Sequence, residues 1–173
     1  MRIKFIISFL FLVFILSCSK DKCQFLELTS GRAMDPSQGR FGVKVMSDNY
    51  FYVCKEVMNV DSDKYYNHTG KYRYYKSASK IDFLEYQALI TTNFSKDKRV
   101  AFHAIPDECA YQIHYNFNTD KDKYRFYRFH LNEKQSFIFG MLDSLRYKKF
   151  KEIGSIEFSS DLLQERLPEP PKL

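Results

Sequence analysis

Much of what marks an enzyme is missing from these 173 residues. No Gly-x-Ser-x-Gly elbow and no Gly-rich phosphate loop occurs, so neither a hydrolase nucleophile nor a nucleotide cradle is written in the chain. His-Glu-x-x-His, His-x-His and Cys-x-x-Cys are absent too, and the histidines are scattered at 68, 103, 114 and 130. That removes metal-ligand spacing, and neither a metal nor any other cofactor is expected. Asp61/Asp63 lacks further oxygen donors and a closing Glu, and Asp120/Asp122 lacks the Gly and Glu of a calcium loop. Glu85 and Asp82 sit three apart on a predicted helix, as many solvated pairs do, so an acid–base hydrolase is the weakest reading. Tryptophan is absent and the five prolines lie mostly at the C-terminus, whereas 13 Tyr and 17 Phe suit a pleated, half-buried sheet.

A long membrane-spanning run is also lacking. Phe5 to Leu16 is apolar apart from Ser8, and twelve residues of helix cover roughly 18 Å, short of the ~30 Å hydrocarbon core. Arg2 and Lys4 precede this run and Ser17-Cys18 closes it, the order of a cleaved secretory signal over 1–17. The cysteine at the cut makes the segment resemble the bacterial lipoprotein signal. That resemblance implies acylation of Cys18 as the mature first residue and attachment to the membrane through lipid. Each buried methylene contributes about 0.8 kcal/mol, so several acyl chains hold a soluble domain firmly. Ser19, where Asp would retain the protein, resembles an outer-membrane address; either leaflet is compatible with it.

Removal of 1–17 takes two of the 27 basic residues and none of the 21 acids, leaving about 156 residues with a net charge near +4. This is one ordinary domain. So mild an excess argues solubility and excludes a nucleic-acid partner. With Cys18 assigned to lipid, Cys23, Cys54 and Cys109 allow three single bridges in an oxidising compartment. Cys54 and Cys109 each fall in a predicted strand, so a Cys54–Cys109 disulfide is expected, against the alternative of two buried free thiols.

Residues 18–40 read as a tether with one apolar patch, Phe25–Leu28, and loop punctuation at Gly31, Asp35-Pro36 and Gly39. Alternation in Phe41–Val45 and the aromatic, β-branched run Tyr50–Val57 predict a hairpin turning at Ser47–Asn49. Strands follow at Thr69–Lys76, Lys98–Ala104, Cys109–Phe117, Lys123–His130 and Ile153–Phe158. Ser79 is the predicted cap of a first helix with an Ile81, Leu84, Ala88, Leu89 stripe ending near Asn93. Asn132 caps a second, with Phe137, Ile138, Met141, Leu142 and Leu145 on one side. Residues 161–173 read as a Pro-rich exposed tail, leaving 41–160 as the domain.

Lys71-Tyr-Arg-Tyr-Tyr-Lys76 precedes the first helix and Lys123-Tyr-Arg-Phe-Tyr-Arg128 the second. The echo suggests a duplicated β-β-β-α unit, with chance similarity of two aromatic strands as the competing account. The predicted fold class is α+β, an antiparallel sheet with two helices packed on one face. Tyr65-Tyr66…Gly70-Lys71, Cys109-Ala110-Tyr111, Lys123–Arg128, Phe137–Leu145 and Leu167–Pro171 together resemble a recurrent type of Bacteroidota outer-membrane lipoprotein. The likeness spans most of the mature chain, but its motifs are structural, so it assigns no functional residue.

What remains is surface. Arg73 and Tyr75 share one face of their strand, Arg125 and Tyr127 one face of theirs, and Arg and Tyr are enriched at binding hot spots. A solubilising, Lys-lined sheet face is the bland alternative. The expectation is a non-catalytic binding or accessory domain of the cell envelope. Its partner would be an envelope protein or glycan met through Arg73, Tyr75, Arg125 and Tyr127. The second expectation is an immunity or inhibitor lipoprotein that neutralises an envelope toxin or hydrolase.

Overall fold

The computed structural model describes residues 23–33, 35, 37–60, 66–105 and 108–164; the predicted signal, Cys18, Asp61/Asp63 and the end of the Pro-rich tail lie outside them. Those residues form an α+β fold. Strands β1 (Phe25–Ser30), β2 (Phe41–Met46), β3 (Phe51–Val60), β4 (Tyr66–Ser77), β5 (Ala110–Asn116), β6 (Lys121–Tyr127) and β7 (Phe150–Ile153) make one antiparallel sheet in the order β6-β5-β1-β2-β3-β4-β7. The helices are α1 (Phe83–Asn93), α2 (Glu133–Ser144) and the single turn α3 (Asp161–Gln164).

The expected hairpins β2–β3 and β5–β6 are present. Asn49 turns the first of them at φ 68°, a left-handed conformation that Asn tolerates better than most residues. The same residue seats α1: its carbonyl accepts from Ile81 N at 2.8 Å and its side chain from Phe83 N at 3.1 Å.

Alternation along the strands gives the sheet two unlike faces. Leu26, Leu28, Val43, Val45, Phe51, Val53, Ile113 and Tyr115 share one, and belong to a single hydrophobic cluster with Phe83, Tyr86 and Ile90 of α1 and Ile138, Phe139 and Leu142 of α2. Glu27, Thr29, Lys44, Cys54, Glu56 and Gln112 point to the other face and are buried as well. Residues 155–164 cross that polar face as a strap. Ser159 N donates to the Glu27 carboxylate at 2.9 Å, Lys44 Nζ donates to Glu157 O at 2.7 Å, and Thr29 and Ser160 hydroxyls meet at 2.5 Å. Phe158, Leu162 and Leu163 bury their side chains under it. Gly42 makes the close approach possible, since a Cβ there would lie 2.7 Å from the Phe158 ring.

Several expectations change accordingly. Phe25–Leu28 is no tether: β1 is an interior strand, paired with β2 on one side and β5 on the other. The domain therefore starts before residue 41, and it reaches past 160, because Leu162 and Leu163 are buried. Lys98–Ala104 is a 3-10 turn and irregular chain rather than a strand, and the last strand sits at Phe150–Ile153. Asp82, not Ser79, caps α1, its Oδ1 accepting from Leu84 N and Glu85 N. That start rotates the aromatics Phe83 and Tyr86 inward and leaves Leu84 exposed. Asn132 caps α2 in a reciprocal box with Gln135, as the sequence predicts, but Phe137 faces outward.

Candidate functional site

The polar face opens at one end into a cleft of about 590 Å³ between β4 and the strap, within the usual range for small-molecule sites. Its floor is set by an irregularity in the β3–β4 ladder. Glu56 pairs with Tyr72, but Met58 pairs with His68, so β4 carries extra residues around Thr69–Lys71. A β-bulge of this kind re-aims side chains. Gly70 is at φ +65°, left-handed backbone that suits glycine. Thr69 Oγ1 donates to Val57 O at 2.5 Å and accepts from Lys71 N, closing the bulge.

The bulge delivers two donors to one carboxylate. Glu56 Oε1 accepts from Gly70 N at 2.9 Å, and Oε2 lies 2.8 Å from His68 Nδ1. Arg40 completes the shell, with Nη2 at 2.9 Å from Oε1 and Nε at 3.0 Å from Oε2, while its own backbone N–H donates to Oε2. Burial by itself would raise the Glu56 carboxyl; the hydrogen bonds from Arg40, His68 and the two backbone N–H groups outweigh it and hold the acid at about 2. Glu56 is thus a carboxylate, and His68 Nδ1 must supply the proton between them. Nε2 of His68 is left buried with no hydrogen-bond partner among the described residues, on a side chain only 2% exposed that lines the cleft.

Tyr72, Tyr74 and Phe158 give the cleft aromatic walls, with Glu157 and Gln164 at its rim. Tyr72 Oη donates to Leu163 O at 2.8 Å, tying strap to strand. Cys54 also lines the cleft, but burial and then the Glu27 charge push its thiol up, so it is protonated and a poor nucleophile. Among the described residues no group of three His, Cys, Asp or Glu is placed to hold a metal ion.

The four residues singled out from the sequence are not brought together. Arg73 and Tyr75 lie on the apolar side of β4, Tyr75 half-buried and 6.0 Å from the Phe150 ring. Arg125 lies on the polar side of β6 opposite Gln112. Tyr127 is buried, stacked on Phe102 at 5.0 Å and accepting a hydrogen bond from Ile105 N. Four strands separate β4 from β6, about 24 Å at ~4.8 Å per strand. The echoed strands thus present their equivalent arginines to opposite faces of the sheet.

The expected Cys54–Cys109 disulfide is not formed; Cys23, Cys54 and Cys109 are free thiols. The reason is strand order. Cys54 is on β3 and Cys109 precedes β5, with β2 and β1 between them, about 14 Å by strand spacing against the ~7 Å limit for bridged Cα atoms. Alkylation should therefore modify Cys23 in the native protein and Cys54 only after unfolding, with no reductant needed. Protection of Cys54 and Cys109 in unreduced, unfolded protein would restore the bridge.

In the sequence His68 is one of four scattered histidines. The available signal was Gly70 inside a strand pattern, which points to a bulge. Compared with protein-family models, curated proteins and solved structures, the chain matches none.

Proposed function

We propose that this chain is a non-catalytic binding module of the cell envelope, lipid-anchored at Cys18 in the outer membrane, that takes its ligand in the cleft between β4 and the strap. The observation that carries the reading is the Nε2 of His68, which has no partner among the described residues, on an imidazole that is held by Glu56 and lines an aromatic-walled cavity. A buried polar atom without a partner is destabilising by about 1–3 kcal/mol unless something satisfies it, and a ligand does so. Both helices packing on the apolar face would leave this cleft unobstructed. The thiol beside the cleft is kept protonated, which argues against a cysteine nucleophile there.

The anchor's position favours the same site. Cys23 lies where β1 begins, next to Asn116 and the β5–β6 turn. Arg40, His68 and Gly70 lie at the opposite end of the strands, about 20 Å further along β4. A lipid on Cys18, only a few residues before β1, would hold the cleft away from the bilayer and open to partners.

Two measurements test the proposal. Cys18→Ser should release the protein from membranes or leave an unprocessed precursor, and a clickable fatty acid should label the wild type alone; an unlabelled wild type ends the lipoprotein reading. Crosslinking in the native envelope should capture a ligand or partner that is lost when His68 and Tyr74 are changed together, and retention by that folded variant would move the site elsewhere.

The immunity or inhibitor reading is favoured by a different feature. Leu84 and Phe137 are 70% and 67% exposed, and Phe137 edges a second groove of about 590 Å³ between α1 and α2 with Leu89 and Ile138. A toxin captured by the envelope protein and released by Phe137→Ser would support it.

A further inference from the structure

The chemistry of the cleft narrows what it holds. Arg40 is the cation nearest its floor, but Nε and Nη2 donate to Glu56 and Nη1 donates to Leu162 O at 3.3 Å. Its guanidinium is spent on the scaffold, and the exposed carboxylate at the rim, Glu157, repels a second negative charge. Among the described lining residues an anionic ligand would meet no Lys or Arg side chain that is not already committed to the scaffold. A purely apolar ligand would leave His68 Nε2 unsatisfied in a buried position.

The missing group is defined by the second ring nitrogen of His68. With Nδ1–H donating to the Glu56 carboxylate, Nε2 accepts a hydrogen bond in the imidazole form and donates one in the imidazolium form. A hydroxyl, donor and acceptor at once, answers Nε2 in either form. Tyr72 and Tyr74 at the walls offer flat apolar surface, and the Gln164 amide at the rim can both donate and accept. Hydroxyl groups around an apolar ring face meet all of these conditions together.

Resting on the binding-module reading above, we infer that the cleft binds a neutral saccharide, one hydroxyl hydrogen-bonded to His68 Nε2 and a ring face laid against the tyrosine walls. Its volume admits a short oligosaccharide or the end of a longer glycan.

The test uses the mature lipidated chain in detergent micelles and ligand-observed NMR with cellobiose, maltose and N,N′-diacetylchitobiose as probes, and glucuronate as the anionic comparison. At least one neutral disaccharide should bind, and glucuronate should bind more weakly. His68→Asn retains an N–H near the Nδ1 position for Glu56 but has nothing in place of Nε2. It should weaken saccharide binding roughly tenfold, the effect of one lost hydrogen bond to a buried polar atom, with the melting temperature kept. Tyr74→Ala, which touches neither Glu56 nor Arg40, should weaken it to a similar degree. Binding unchanged in both variants, preference for glucuronate, or no binding of any of the three disaccharides overturns the inference. A protein partner crosslinked at the cleft without saccharide binding would overturn the ligand class and keep the binding-module reading. Cleavage of a bound disaccharide would do the reverse, keeping the ligand class and ending the non-catalytic reading.

Discussion

A chain ended at Gly154 should fail to fold cooperatively. Truncation there removes Phe158, Leu162 and Leu163, all buried, and uncovers the centre of the polar sheet face. At about 1.5–3 kcal/mol per fully buried large side chain, the three together contribute on the order of 5–9 kcal/mol, an upper figure because the unfolded chain hides some of that surface already. Rehydration of Glu27 and Lys44 offsets part of the loss, since both are desolvated beneath the strap. What remains is still comparable with the whole stability of an ordinary domain. Loss of a cooperative thermal transition and of far-UV structure checks the prediction; a truncated chain that melts like the full one would show the strap to be peripheral. Phe158→Ala is the gentler version. It should lower stability by about 3 kcal/mol, near the low end for a core Phe, and make Cys54 open to alkylation in the folded protein.

Arg40→Met should destabilise the domain by about 3–5 kcal/mol at neutral pH, because it leaves the Glu56 carboxylate buried beside one histidine and two backbone donors. The pH dependence separates this from a packing defect. Glu56 is held at about 2 in the folded chain against an ordinary value of 4.5. A depressed acid contributes stability that is fully present above its unfolded pKa and lost as pH falls through the folded one. The window is therefore pH 4.5 down to about 2, and its size is about 3 kcal/mol at 1.36 kcal/mol per pH unit. The gap between wild type and Arg40→Met should narrow as pH drops from 7 to 3, where the variant's Glu56 takes up its proton. Glu27 works in the opposite sense. Burial raises its carboxyl above the ordinary value despite Lys44, so its part declines as pH rises above 4.5 in both proteins and cancels in the comparison. Urea melts at pH 7 and pH 3 decide it, and a gap of equal size at both would assign the loss to side-chain volume alone.

The cleft was less legible than the fold around it. Each of its members looks ordinary in sequence: an arginine ahead of a strand, a glutamate within one, a histidine beside a Thr-Gly pair. They meet because the β3–β4 ladder slips at Glu56/Met58, and a slip in register has no fixed signature beyond a glycine inside a strand pattern. The basic aromatic strands Lys71–Lys76 and Lys123–Arg128, by contrast, were conspicuous and misleading. Side chains do alternate within each strand, yet facing is relative to the whole sheet, and the sheet turns Arg73 and Arg125 to opposite sides.

The sequence by itself determined the local elements of this protein. Alternating aromatic and β-branched residues specify β2, β3 and β5, the Ser47–Asn49 turn closes the first hairpin, and Asn132 with Gln135 starts α2; in each the decisive contacts lie within a few residues. Tertiary structure decided what becomes of the two ends of the domain. Phe25–Leu28 is four unremarkable residues after a polar stretch, and it is an interior strand because β2 and β5 both leave it a pairing edge. Residues 155–164 have no periodicity of their own, and they are ordered because buried Glu27, Thr29 and Lys44 need partners that water cannot reach. The same long-range order separates Cys54 from Cys109 and leaves His68 Nε2 buried without a partner among the described residues. Hydrogen-bonding demand fixes that every buried polar group must be answered; which distant segment answers it is settled only when the strands have chosen their neighbours.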